Sequence, residues 1–179
     1  MIDSEPGIDP SGPILEPLRR EDLAKVKDLI ADGVLELYAD LDFLPKTRPE
    51  LLAHYDRIGY LADLDAFERE YGEGDGAFLV LKDAAGVQGC GGVHRLEGSR
   101  GELARLWLRR EARGKGWGER IIAELFRRAA AIGYRELYLD TSHRCTAALA
   151  LFRKHGFREC ERYKESIGDI YMKKSLESR

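Results

Sequence analysis

Proline is absent after Pro49: all six, at positions 6, 10, 13, 17, 45 and 49, fall in the first third of the chain. Later segments can therefore form regular structure without a blocked amide. Cysteine is scarce as well. Cys90, Cys145 and Cys160 are odd in number and show no C-x-x-C spacing, which disfavours both a disulfide framework and a cysteine zinc site. The histidines His54, His94, His143 and His155 do not cluster in sequence, so no metal is expected. No apolar run approaches the roughly 18 residues that a membrane span requires. The first 13 residues carry Asp3, Glu5 and Asp9 but neither a basic cluster nor an apolar stretch, the parts of a secretory signal. These absences predict a cytoplasmic protein with reduced thiols, no membrane partner and a flexible tail over residues 1–13.

What remains fits one folded domain over residues 14–179. The 179-residue chain is 44% hydrophobic and 34% charged, enough to bury a core. Its formal net charge of -3 hides an asymmetry. Residues 20–75 hold 7 basic against 15 acidic side chains, whereas residues 76–179 hold 21 against 13. The acidic half disfavours nucleic acid as a partner. An acidic half beside a basic one suits an enzyme holding a polyanionic cofactor and a cationic acceptor, although solvated helix faces would give the same balance.

Hydrophobic spacing sets the expected elements. Residues 14–18 predict a short strand, and Leu23, Val26, Leu29 and Ile30 a helix ending near Gly33. Residues 34–59 are less periodic and are broken by Pro45 and Pro49. Leu61, Leu64, Phe67 and Tyr71 predict another amphipathic helix, closed by Gly72, Gly74 and Gly76. Residues 77–81 and 87–96 read as a hairpin around a turn at 83–86, followed by a strand over 102–108. Ile121, Ile122, Leu125, Phe126 and Ala129 then mark a helix, with Gly133 where a C-terminal glycine belongs. Residues 137–140 predict a strand, 146–155 a helix, and 158–163 with 167–174 a final pair of strands.

Between the 102–108 strand and its following helix lies Arg113-Gly114-Lys115-Gly116-Trp117-Gly118. Alternate glycines let backbone amides point at an anion, and a helix N-terminus adds its dipole. With Arg113 and Lys115 the loop forms a natural pyrophosphate cradle. It fits neither G-x-x-x-x-G-K-[ST] nor G-x-G-x-x-G, since the last position of the latter is Glu119 or Ile121. A plain tight turn remains an alternative, as does a dinucleotide site using Asp140.

The spacing Arg113-x-x-Gly116-x-Gly118 resembles the R/Q-x-x-G-x-G/A signature of the GCN5-related N-acetyltransferase (GNAT) family. Downstream, Leu151-Phe152-x-x-x-Gly156-Phe157 is similar to the family's L-Y-x-x-x-G-F motif, in the expected order and distance. The resemblance implies an α/β fold: a mixed, mostly antiparallel sheet splayed into a V and flanked by helices, with acetyl-CoA in the gap. It implies that Arg113, Gly114, Lys115, Gly116, Trp117 and Gly118 hold the pyrophosphate. The backbone of Leu106, Trp107 and Leu108 would pair with pantetheine, and the Leu108 amide would polarise the thioester carbonyl. Family members often form homodimers.

Acetylating an amine requires a proton acceptor. The resemblance points to Glu102, 11 residues before Arg113, with a surface carboxylate as the alternative. Where the family carries a tyrosine acid, this chain has Phe152, which cannot donate and would pack against pantetheine and the helix core. Tyr138, Cys145 or Tyr163 could substitute. Cys145 also stands where many members use asparagine to hold pantetheine. The resemblance implies an acceptor near residues 34–71, where Glu36 and Asp40 would attract a small cationic amine and Tyr38 and Tyr55 would stack on it or bond it. The outcome is an acetyl-CoA-dependent N-acetyltransferase acting on a primary amine. A coenzyme-binding sensor without catalysis, or a nicotinamide-dependent oxidoreductase, are the alternatives.

Overall fold

From Gly76 to Leu108 apolar side chains occupy both alternating faces, the pattern of strands covered on two sides. They form β2 (Gly76–Asp83), β3 (Gly86–Glu97) and β4 (Arg100–Leu108), paired antiparallel in that order. The computed structural model describes residues 12–72 and 74–176. The tail expected over residues 1–13 thus lies, except for residues 12 and 13, outside the described residues. Further strands are β1 (Ile14–Pro17), β5 (Glu136–Thr141), β6 (Arg158–Glu159) and β7 (Ile170–Ser175). Among the described residues these seven strands make one sheet in the order β1-β2-β3-β4-β5-β7-β6, antiparallel except between β4 and β5.

Helices cover both faces. On one side lie α1 (Leu23–Leu37), α2 (Arg48–Ile58) and the single turns α3 (Ala62–Asp65) and α4 (Phe67–Glu70). Val26, Ile30, Leu51 and Leu64 from these elements meet Phe78 and Val80 of the sheet. On the other side lie α5 (Trp117–Ile132) and α6 (Thr146–Lys154), packed against Leu79, Leu81 and Val93. Ile121, Ile122 and Leu125 of α5 are at most 1% exposed, each contributing about 2 kcal/mol by burial. No helix among the described residues is long and apolar enough to cross a membrane.

Three expectations need correction. Pro49 does not break the 34–59 stretch but opens α2, where a missing amide costs nothing, and Leu51 and Tyr55 lie buried one turn apart. The helix expected from Leu61 to Tyr71 is two short turns, because Ala66 leaves the helical region at φ -103° and ψ 26°. The last strand pair is shorter than its hydrophobicity suggests: residues 160–169 are in neither helix nor strand.

The sheet opens at one place. β4 pairs with β5 only over Arg100–Glu102 against Glu136–Tyr138. Among the described residues, the remaining six residues of β4 have no strand partner on that edge. A bulge accompanies the parting: the β3–β4 register shifts between Cys90 and Gly92, and Arg105 takes φ +59°. The Cys90 thiol donates to the Arg105 carbonyl at 3.1 Å and so fixes the bulge. A bulged strand bends, and the result is the V-shaped gap expected above.

Candidate active site

The glycine loop stands at one end of this gap. Arg113, Gly114, Lys115 and Gly116 are exposed, and α5 begins at Trp117. Gly116 caps the helix at φ +80°, a conformation that side-chain-bearing residues avoid. The first-turn amides of a helix lack intrahelical acceptors, and no side chain caps them here. Among the described residues, the amides of residues 114–119 donate to no backbone carbonyl. Gly118 allows a close approach to α6, since a Cβ there would lie 3.1 Å from Leu151. The outcome is an open ring of donors suited to a phosphate. Trp117 is half-buried, with the Arg120 guanidinium 4.5 Å from its ring centre.

Arg113 and Glu36, expected to serve different ligands, meet each other. Arg113 donates to both Glu36 oxygens, at 2.8 and 3.2 Å, and to the Leu108 carbonyl at 3.0 Å. Arg110 adds a bond to Glu36 at 3.0 Å. The hydrogen bond from Arg113 leads in holding the Glu36 carboxyl below its usual range, with Arg110 assisting. Arg113 thus ties α1 to the end of β4, and Glu36 is engaged at the loop.

Along β4 the Arg109 amide donates to Gln88 of β3 at 2.8 Å. Successive amides in a strand point to opposite edges, so those of Leu108 and Leu106 face the gap and that of Trp107 faces β3. Side chains at 106–108 are half-buried.

At the narrow end stands Glu102, 3% exposed. Its neighbour Leu103 packs on the α5 side, so alternation turns Glu102 to the α1–α4 side. His94 of β3 and Tyr138 of β5 flank it in register. Glu102 Oε1 accepts from the Tyr163 hydroxyl at 2.5 Å and from Lys164 Nζ at 2.6 Å. Oε2 lies 3.5 Å from His94 Nε2. Lys164 Nζ also reaches Asp140 Oδ1 at 2.7 Å. Burial first, and then Glu102, push the Tyr163 hydroxyl far above its ordinary range. Burial opposes the charge of Lys164, yet Glu102 and Asp140 hold its ammonium above the usual value.

A second polar cluster adjoins the first. His94 is edge-on to Tyr71, whose hydroxyl donates to Asp63 at 2.6 Å. Arg105 grips both Asp63 oxygens, at 2.8 and 3.1 Å, and its guanidinium lies 4.6 Å from the Tyr60 ring centre. Tyr55 is buried against Tyr60. Tyr38 carries Arg144 near its ring, and Arg144 binds both Asp40 oxygens at 2.6 and 3.0 Å. The acidic side chains expected to draw a cation are therefore already paired with arginines. On the opposite side of the sheet Phe152 is 5% exposed, its ring edge-on to Phe157 in the core. Cys145 is half-buried at the start of α6.

Of the expected catalytic residues, Glu102 and Tyr163 touch. Leu108 lies six residues along β4 from Glu102, about 20 Å before allowing for the bulge, and Leu106 about 13 Å. Sequence reasoning overlooked Lys164 and gave His94 and Arg105 no part in the site. Period-two alternation carried a signal for His94, which shares a face with Glu102, Tyr138 and Asp140; the irregular segment around Lys164 carried none.

A strand, an open amide loop and a helix beside a parted sheet also match a known family. The model of the Acetyltransferase (GNAT) family matches residues 36–157. The chain belongs to the GNAT acetyltransferase family. An IAA acetyltransferase of Azospirillum brasilense is 32% identical over 132 residues, 73% of this chain and 80% of that protein. An uncharacterised N-acetyltransferase of Schizosaccharomyces pombe is 34% identical over 97 residues, 53% of this chain but only 60% of its own length. Among solved structures, the PaiA N-acetyltransferase of Thermoplasma acidophilum in complex with coenzyme A shares the GNAT fold, with a TM-score of 0.72 at 18% identity over 92% of this chain and 99% of that one. The glycine loop therefore sits in a GNAT frame.

Proposed function

We propose that the protein is an acetyl-CoA-dependent N-acetyltransferase whose acceptor is a small primary amine. The observation that carries this reading is the unpaired edge of β4, with a ring of free amides at one end and a buried carboxylate at the other. The residues fit the cosubstrate. Amides of residues 114–119 suit a pyrophosphate, and the free edge at 106–108 suits an amide-bearing chain laid beside it as an added strand. Acetyl-CoA supplies the acyl group as a thioester.

The amides of Leu106 and Leu108 both face the gap and can stabilise negative charge developing on a thioester oxygen. Leu106 is the nearer to Glu102, and we assign it this part ahead of Leu108. Glu102 takes the amine proton, directly or through water. Tyr163 orients Glu102 by donating to Oε1 and keeps its own proton. Tyr38 and Tyr60, both half-buried, give the acceptor side aromatic walls, with Tyr55 packed behind Tyr60 in the core.

Thermal shift with acetyl-CoA, coenzyme A and NAD(H), followed by thiol release with a panel of amines, tests the reading. Acetyl-CoA at 100 times its dissociation constant stabilises the fold by about 2.7 kcal/mol, and primary amines release thiol. Stabilisation by NAD(H) alone overturns it. One feature favours a second reading: Phe152 is sealed in the core, so its position offers no hydroxyl for the leaving thiolate. A coenzyme-binding sensor would bind acetyl-CoA tightly and release no thiol with any amine.

A further inference from the structure

We propose that Glu102 and Asp140 form the subsite for the acceptor's primary ammonium, and that Lys164 fills this subsite while no acceptor is bound. This inference rests on the acetyltransferase reading and names the chemistry its acceptor must present. Lys164 Nζ lies 2.6 Å from Glu102 and 2.7 Å from Asp140, two carboxylates on the strands that flank the opening. A primary amine therefore already sits on the candidate proton acceptor, supplied by the chain itself.

The elements differ in regularity. Glu102 and Asp140 stand on β4 and β5, whereas Lys164 belongs to the irregular segment 160–169. The Lys164 side chain is 32% exposed against 4% for Glu102, so the ammonium enters from the solvent side and can leave by it. Two acids face one cation from this segment. Among the described residues, other titratable groups near them include His94, 3.5 Å from Glu102 Oε2, Tyr163, which donates to Oε1, and Tyr138, which pairs with Glu102 in register. Tyr71 and Tyr60, from the α1–α4 side, feel the charges of Glu102 and Asp140 respectively.

An ammonium has three donors on a compact centre, whereas a guanidinium is planar and a quaternary ammonium has none. Two oxygens from different strands at nearly equal distance suit the first. The lysine stem is an unbranched carbon chain passing near the Tyr163 ring, with Nζ 5.9 Å from the ring centre. The occupant that replaces it is accordingly an alkylammonium on an unbranched stem. While Lys164 is in place, Glu102 Oε1 already receives two donors. When the acceptor replaces Lys164, the proton to be removed is bonded to the group that takes it.

The test compares the wild type with Lys164→Met, which keeps the length of the stem and removes the charge, using n-butylammonium as probe. A site blocked by its own side chain binds more weakly by the fraction of time it is free. The variant is expected to bind n-butylammonium about tenfold more tightly than the wild type, to show a lower KM for n-butylamine, and to lose that binding when Asp140→Asn is added. Unchanged or weaker binding with an unchanged or raised KM overturns the proposal and makes Lys164 a structural ion pair. Should the variant fail to fold, the Lys164 ammonium can be followed by nitrogen NMR in the wild type. Its signal moves to that of a solvent-exposed lysine as n-butylammonium is added; no movement at saturation overturns the proposal. If the wild type releases no thiol with any amine while Asp140-dependent binding persists, the subsite stands and the acetyltransferase reading falls.

Discussion

Glu102 and Tyr138 are the last residues to pair across β4 and β5; one step further the strands have parted. The buried carboxylate therefore stands at the base of the opening, where it meets His94 of β3 and Tyr163 and Lys164 of segment 160–169.

Glu102→Gln keeps the shape of this group but cannot take a proton. Turnover with primary amines should fall about 100-fold or more near neutrality, the lower end of the usual contribution of a general base. The loss should shrink at alkaline pH, where free amine is abundant, and acetyl-CoA binding should persist. Steady-state thiol release across pH checks this; equal rates at both ends remove Glu102 from proton transfer.

Gly116→Ala puts a side chain at φ +80° with nothing within 4 Å of the added Cβ, so any effect comes from the backbone alone. The strain is about 1 to 2 kcal/mol. If the loop relaxes to relieve it, its amides turn away. The dissociation constant for acetyl-CoA should rise about tenfold with the fold retained, as measured by calorimetry and circular dichroism.

Asp63 predicts a pH dependence. Burial would raise its pKa, yet the Arg105 hydrogen bonds hold it below the usual value. A depressed carboxylate stabilises the fold above its unfolded pKa of about 3.9, and this contribution is lost as pH falls through the folded value. Asp63→Asn should lower stability by about 3 kcal/mol at neutral pH, with the difference shrinking in acid. Urea midpoints at a series of pH values measure it; a gap constant with pH would mean that the charge of Asp63 contributes nothing.

Cys90 is fully buried, and burial pushes its thiol up to about 12. Iodoacetamide should therefore label Cys145 and Cys160 in the native protein and leave Cys90 untouched until unfolding, as read by peptide mapping. Early labelling of Cys90 would show that the bulge opens in the folded state.

Local features of this fold were legible and tertiary ones were not. The glycine loop is written in a short run of residues, of which Gly114 and Gly116 take φ values that only glycine adopts freely, so it was visible along with the strand before it and the helix after it. The start of α2 was missed because Pro49 is equally a breaker and a first-turn residue; only the burial of Leu51 and Tyr55 decides between them. The bulge at Arg105 has no local signature, since an arginine at positive φ is held there by Asp63, Tyr60 and the Cys90 thiol, all distant in sequence. Glu36 looked like an acceptor ligand by charge alone. The nearness of Arg110 and Arg113 follows from the packing of α1 and was invisible to spacing.

The two apolar layers occupy opposite faces of one sheet, with the α5 side anchoring the glycine loop and the α1–α4 side carrying the tyrosines. On the proposed reading, substitutions confined to the half-buried Tyr38 and Tyr60 would vary the acceptor side and leave the glycine loop on the α5 side unchanged, making this scaffold a practical starting point for laboratory evolution of new selectivity.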